Sequence, residues 1–320
     1  MTQNLKATHR CVYKHKDVIE IMDFLLTSTH KLRFSTEFRN RLETLSDLPG
    51  LPETAQALIL LRNDPDADIA SLVSVIEQDP AIAMQLIAYA RSAVFGYGDR
   101  IKTVNDSLSI VLGFHKGMHM ALGLSAGRSL KMTDEGPLGR EKFWSHSVLT
   151  AALMERLAQN LPSDSKVDPG LAYLAGLFHD IGFLLLGHLY PYEFSVLNEL
   201  VAKYPDIETR ELELLCLGVS HDMTGMWLMR AWNLPEELVV GVGEHYFPDF
   251  DGHHSTYSKL VNMANQMMKL DRSKSNALTE LERASNFSEL GLSEDMVNDT
   301  LDFVHRQESA LEEMAQAMAA

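Results

Sequence analysis

Apolar residues recur along most of this chain every three to four positions, without convincing period-two runs and without Asn-Gly hairpin turns. Asp17–Lys31 carries Val18, Ile19, Ile21, Met22, Leu25 and Leu26 at helical spacing. A second helix is predicted from Pro52 to Arg62, where Asn63-Asp64-Pro65 breaks it. Asp66 or Asp68 then opens a short helix through Ile76. Asp79-Pro80 supplies a cap followed by proline at the first helical position, and that helix is predicted to reach about Phe95, where Gly96-Tyr97-Gly98 stops it. Thr103 caps a helix to Leu112 that Gly113 ends. Further helices are predicted at 115–131, 139–160, 168–187, 190–203, 208–219, 222–231 and 235–246. Two more lie near 255–270 and 293–318, joined by a polar segment rich in Ser and Asn. No repeat of fixed period is present. The expected class is all-α.

The punctuation Gly136-Pro137-Leu138-Gly139 marks the best internal boundary, separating an N-terminal helical half from one that holds most of the histidines. The expected organisation is a helical extension over 1–39, a helical part over 40–136, a helical bundle over 137–270 and an acidic helical segment over 271–320. At 320 residues and 46% hydrophobic content, the chain can bury one large helical core or two modest ones. Its sixteen methionines suit adaptable helix packing.

Charge narrows the functional classes. The formal net charge of −16 argues against nucleic-acid binding by electrostatic attraction alone, which needs clustered Lys and Arg. The acidity is uneven: from Asn276 to Ala320 ten Asp or Glu face only Arg283 and Arg306, whereas the first 33 residues carry six Lys or Arg against three acids. Both ends are expected to be solvated surface. Cys11 and Cys216 cannot form a disulfide framework and neither sits in a CxxC pair, which fits a reducing compartment. The N-terminus MTQNLKATHR has no apolar signal core. The greasiest stretch, Leu171–Leu189, is interrupted by His179, Asp180 and His188, so no membrane span is expected. The expected location is the cytoplasm.

Candidate chemistry centres on that same stretch. Two polar groups inside an apolar run are costly to bury unless paired or bound to metal, so His179-Asp180 reads either as a polar site or as core residues satisfied by their neighbours. Trp144, Trp227 and Trp232 fall in helical patterns and read as packing. The pair His253-His254, next to Asp251 and Gly252, reads as an exposed loop, and His115, Lys116 and His119 as a solvated helix start. No P-loop, Rossmann fingerprint or Ser-His-Asp arrangement is evident.

Three stretches carry a family resemblance. Leu48 to Gly96 (LPGLPETAQALILLRNDPDADIASLVSVIEQDPAIAMQLIAYARSAVFG) has a Leu-Pro-x-Leu-Pro opening, a helix, an acidic turn and a short helix ending in Asp-Pro. Thr103 to Phe114 (TVNDSLSIVLGF) is a helix before a Leu-Gly turn. FWSHSVLTAALMERLA and then LAYLAGLFHDIGFLLLGH place a single His ahead of an Ala-Gly-Leu-x-His-Asp-Ile-Gly helix. With SHDMTGMWLMRAWNLPEELVVGVGEHYFP and LGLSEDMVNDTL after them, their order and spacing over roughly residues 40–305 resemble the HDOD domain, a regulatory relative of the HD and HD-GYP phosphohydrolases. The resemblance implies an N-terminal helical subdomain followed by an HD-like helical bundle.

It also implies a site. Positions matching His146, His179 and Asp180 bind metal in HD enzymes, and His221 and His245 are further candidates. A divalent ion such as Mn, Fe, Ni or Mg would suit such a set, although none is required by the reading. Three departures weigh against hydrolysis. HD enzymes close the metal shell with a late Asp, where this chain reads Ala264-Asn265. After His-Asp-Ile-Gly, active relatives commonly carry a Lys that can contact phosphate, and this chain has Phe183. Where dinuclear relatives have paired histidines, it reads His245-Tyr246, or Glu244-His245 if the turn aligns one residue earlier. No catalytic residue is therefore assigned.

The resemblance thus implies a non-catalytic bacterial signal-transduction module that binds signalling protein partners. No receiver or cyclic-dinucleotide domain is visible, so a stand-alone output or adaptor protein is expected. The alternatives are a metal-dependent phosphohydrolase acting on a nucleotide or cyclic dinucleotide, and a nucleotide sensor that binds without cleaving. Nucleic-acid and membrane partners are not expected.

Overall fold

A computed structural model describes residues 48–92 and 95–319. The helix expected at Asp17–Lys31, Cys11 and the extension over 1–39 lie outside the described residues. The described chain is helical and contains no strand. Its N-terminal part comprises α1 (Glu53–Arg62), α2 (Ile69–Ile76), α3 (Pro80–Ala90), the short α4 (Val104–Asp106) running into a π-helical stretch Ser107–Leu112, and α5 (Gly113–Arg128). Then come α6 (Arg140–Asn160), α7 (Pro169–Phe178), α8 (Ile181–Leu189), α9 (Pro191–Lys203), α10 (Thr209–Cys216), α11 (His221–Ala231) and α12 (Glu236–Gly243). The tail adds α13 (Ser255–Met268), α14 (Ala277–Ser285), α15 (Glu294–Arg306) and α16 (Glu308–Ala319).

Several starts follow from the capping residues read in the sequence. The Asp68 side chain accepts from Ser71 N–H, Asp79 from Ala81 and Ile82 N–H, and Thr103 from Asp106 N–H. Each satisfies amide donors that the first turn leaves without an intrahelical partner. Gly113, at φ +70°, makes the break between the π-helical stretch and α5.

Several helices end two or three residues from the expected positions, and three departures from the periodicity are larger. The helix expected to reach Phe95 stops at Ala90, because the chain turns and Phe95 packs edge-on against Tyr89 at 5.2 Å. The single helix expected over 168–187 is two, α7 and α8, with His179 and Asp180 at the joint. The tail helix expected over 293–318 breaks at Gln307, and α16 turns back onto α3 and α6. The polar segment before it contains α14, held by buried Ala277 and Leu281.

The central layer is α6 against α7, with α12 and α13 on one side and α5 on another. Gly176 permits that contact, since a Cβ there would sit 2.8 Å from Ala151 Cα. One hydrophobic cluster runs from Ala55 in α1 to Met318 in α16, including Trp144, Phe178 and Phe194. Pro169–Leu189 is apolar and long enough to cross a membrane by composition, but 89% of its most apolar 18-residue window is buried in that core. Trp144 and Trp232 are buried and Trp227 packs against the core, as their spacing implied.

The acidic tail is only half solvated. Glu308, Glu312 and Glu313 face outward, while Ala310, Leu311, Met314, Ala315 and Met318 are buried. Arg140 donates to the carbonyls of Ala319 and Met318 at 2.9 and 3.5 Å, placing a cation at the negative end of α16. The reading of His115, Lys116 and His119 as a solvated helix start is also corrected. His115 is exposed, but Lys116 pairs with Glu155 at 3.0 Å, and His119 is only 2% exposed because α5 presses it onto Gly170 of α7.

Candidate metal centre

The break between α7 and α8 places His179 and Asp180 where helix faces converge. Asp180 stands at the N-cap of α8, yet its side chain makes no cap hydrogen bond. Its carboxylate turns toward histidines instead. One oxygen lies 3.2 Å from His179 Nε2 and 3.6 Å from His146 Nε2, and the other lies 3.2 Å from His221 Nε2. Gly182 makes the last approach possible, because a Cβ there would sit 2.0 Å from the His221 carbonyl oxygen and 2.5 Å from Thr224 Oγ1. Glycine thus lets α8 and α11 touch backbone to backbone.

The rings are held from behind. His179 Nδ1 donates to the Gly176 carbonyl at 2.7 Å, and His245 Nδ1 to the Val242 carbonyl at 2.7 Å. Each bond leaves Nε2 as the free lone pair. His146 Nε2 and His179 Nε2 are 3.1 Å apart. The Nε2 atoms of His221 and His245 are buried without an aligned hydrogen-bond partner. Buried polar atoms without partners are costly, and several aimed at one carboxylate are the donor set a metal ion satisfies. His146, His179 and Asp180 bring ligand atoms within 4.8 Å of one another, and so do Asp180, His221 and His245. Asp180 belongs to both groups.

Electrostatics follows from burial and from that carboxylate. Burial disfavours charge on Asp180, but His179 and His221 outweigh it and hold the carboxyl well below its usual range. Burial and the neighbouring His179 push His146 down to about 4. Burial, with His179 and His221 close by, pushes His245 to about 3. His221 goes the other way: burial opposes its charge, but Glu213 and Asp180 on its two sides raise it well above the ordinary imidazole value.

All five residues named from the sequence come together: His146 from α6, His179 and Asp180 from the α7–α8 joint, His221 from the start of α11 and His245 just after α12. The departures are also found here. The Phe183 ring is stacked on His221, 4.1 Å between centroids and 23° between planes. Tyr246 meets the same imidazole edge-on at 5.4 Å. Asn265 stands beside His146, its Oδ1 buried without an aligned partner. His253 and His254 lie apart from the cluster; His253 is exposed, and His254 faces Glu237 at 3.9 Å.

Sequence reasoning missed Glu213, Asp222 and Arg210. Glu213 is fully buried and its carboxylate binds His221 Nδ1 at 2.8 Å. Arg210 donates to both oxygens of Asp222 at 3.1 and 3.3 Å. The signal for Glu213 was available: it sits between Leu212 and Leu214-Leu215-Cys216, a carboxylate where the helix pattern calls for an apolar side chain.

Comparisons with known proteins agree with this architecture. A protein of Marinobacter aquaeolei VT8, provisionally assigned to signal transduction, has a crystal structure similar to this one with a TM-score of 0.74 and 30% identity, covering 97% of this chain and 67% of that one. A provisionally assigned phosphohydrolase of Shewanella amazonensis SB2B is similar in fold, with a TM-score of 0.69 at 18% identity over 89% of this chain and 98% of its own. An uncharacterised protein of Treponema pallidum (strain Nichols) is 26% identical over 220 residues, or 69% of this chain, which spans 40% of that relative's length. The profile of the HDOD domain matches residues 48–248, from ahead of α1 to beyond α12, and so takes in the whole histidine cluster. By that match the chain belongs to the HDOD family.

Proposed function

We propose that this protein is a signal-transduction module that acts by binding protein partners, and that its histidine–aspartate centre is a divalent-metal site not equipped for phosphoester hydrolysis. His146, His179 and Asp180 would hold the ion on the more open side, with His221 and His245 on the closed side. In a hydrolase such an ion would activate water and neutralise phosphoryl charge. The observation that carries the reading is Phe183. Its ring is 6% exposed and lies flat on His221 at 4.1 Å, so the turn after Asp180 offers an apolar wall and no cation to a phosphate. The fold outlives the chemistry, and the helices around the centre serve as a binding surface.

Hydrolysis assays test this directly. Protein loaded with Mn, Fe, Ni or Mg is expected to show no turnover of nucleotides, linear phosphodiesters or cyclic dinucleotides above that of a His179→Ala variant. Turnover that vanishes in His179→Ala overturns the reading.

One observation favours a second reading, a metal-dependent phosphohydrolase or nucleotide sensor. The His146 side chain is 34% exposed beside Asp180 at 15%, which leaves one face of the centre open to water or a phosphate. Nucleotide binding without cleavage, seen by calorimetry and lost in His146→Ala, would select the sensor.

A further inference from the structure

His221 is held differently from its neighbours. His179 and His245 each anchor Nδ1 on a backbone carbonyl three residues earlier, an acceptor that every helix supplies. His221 anchors Nδ1 on a side chain. Both Glu213 carboxylate oxygens lie within reach, at 2.9 and 2.8 Å, and one also accepts the His221 backbone N–H at 3.2 Å. Glu213 and His221 are both fully buried. On the same short helix, Arg210 grips Asp222 through two hydrogen bonds. Thus α10 clamps the first two residues of α11, and the ring of the first is aimed at Asp180.

A buried carboxylate is expensive, and a backbone carbonyl or a glutamine would anchor Nδ1 without that cost. Charge is what glutamate adds. A carboxylate behind an imidazole fixes the tautomer and makes the opposite nitrogen a stronger donor to a cation. We infer that Glu213 is a positioning residue of the centre: it holds Nδ1–H of His221 and strengthens Nε2 as the metal-facing donor on the closed side. This rests on the reading of the Asp180 cluster as a metal site. It divides the four imidazoles of the centre into one strong donor backed by charge and three without it. It also makes α10, which grips the start of α11 through Glu213 and Arg210, the element that sets the geometry of the closed side.

Cobalt titration of the full chain, followed by visible absorption, tests the inference. Glu213→Gln keeps the shape and an acceptor but removes the charge, and Glu213→Asp keeps the charge. The expected result is a roughly 10–100-fold weaker cobalt affinity in Glu213→Gln with shifted d–d bands, and substantial recovery of both in Glu213→Asp. Circular dichroism of the metal-free variants records folding separately. A folded Gln variant with wild-type affinity and spectrum overturns the inference and leaves Glu213 as a cap for α11. An Asp variant as weak as the Gln variant overturns the part assigned to charge. Wild-type protein that takes up no cobalt overturns the metal reading itself, a result visible before any variant is compared.

Discussion

Among the described residues, two regions bury histidine, and they do so in opposite ways. Around Asp180, His179, His221 and His245 each have one nitrogen anchored, on Gly176, Glu213 and Val242, and the other turned inward. On the far side of α7, His119 is buried just as deeply, yet neither ring nitrogen has a partner and the ring lies against Gly170. Burial alone therefore does not make a site. What distinguishes the centre is that anchoring fixes which lone pair is free, and the backbone brings those lone pairs to one carboxylate. His119 has no anchor and no point of convergence, and reads as packing.

The contrast can be broken at its strongest point first. Asp180→Asn keeps the volume but removes the charge that His179 and His221 share. The metal-free protein is expected to lose about 3–5 kcal/mol, the usual cost of removing one partner from a buried charged pair. Urea denaturation checks this. A loss below about 1 kcal/mol would mean that the imidazoles do not depend on Asp180.

Acid reaches the other region. Burial holds His119 at about 4 in the folded protein, with Asp168 only partly opposing, against the ordinary 6.5 of an unfolded chain. A depressed folded value means the stability it contributes is full above pH 6.5 and is lost as pH falls through 4. At 1.36 kcal/mol per pH unit that loss is roughly 3 kcal/mol. His146 and His245 shift the same way, so His119→Phe isolates the lone ring. Between pH 7 and pH 4 the wild type is expected to lose roughly 3 kcal/mol more than this variant in urea melts. Equal losses would show that His119 is not a buried neutral ring.

The smallest effects sharpen the comparison through glycine. In Gly182→Ala the new Cβ meets the backbone oxygen of His221, so α8 and α11 must separate; the expected cost is about 1–3 kcal/mol together with weakened cobalt binding. In Gly170→Ala the Cβ meets the His119 ring, a side chain that can rotate, and the expected cost is smaller with cobalt binding unchanged. Thermal midpoints and cobalt titrations of the pair settle the order.

Much of this was legible in the sequence because it is local. Caps at Asp68, Asp79 and Thr103, the breaks at Asn63-Asp64-Pro65 and Gly113, and the family motif around His179-Asp180 are all short-range signals. The α7–α8 break was hidden because the apolar run continues through it, and periodicity cannot see a polar pair leaving a helix to meet groups from other elements. The burial of His119 depends on Gly170, 51 positions along the chain, being small. The docking of α16 was masked by its glutamates, which report its outer face and not the stripe of Leu311, Met314 and Met318. Glu213 stood in an apolar pattern and could have been flagged, but its partner is known only once α10 and α11 are folded together.

The account's central claim is that anchored, convergent histidines around Asp180 hold a metal ion. Elemental analysis of untagged protein, against a His146→Ala, Asp180→Ala variant, tests it most directly. The predicted result is close to one divalent ion per chain in the wild type and none in the variant. No metal in the wild type under metal-replete conditions, or the same metal in both proteins, would contradict it.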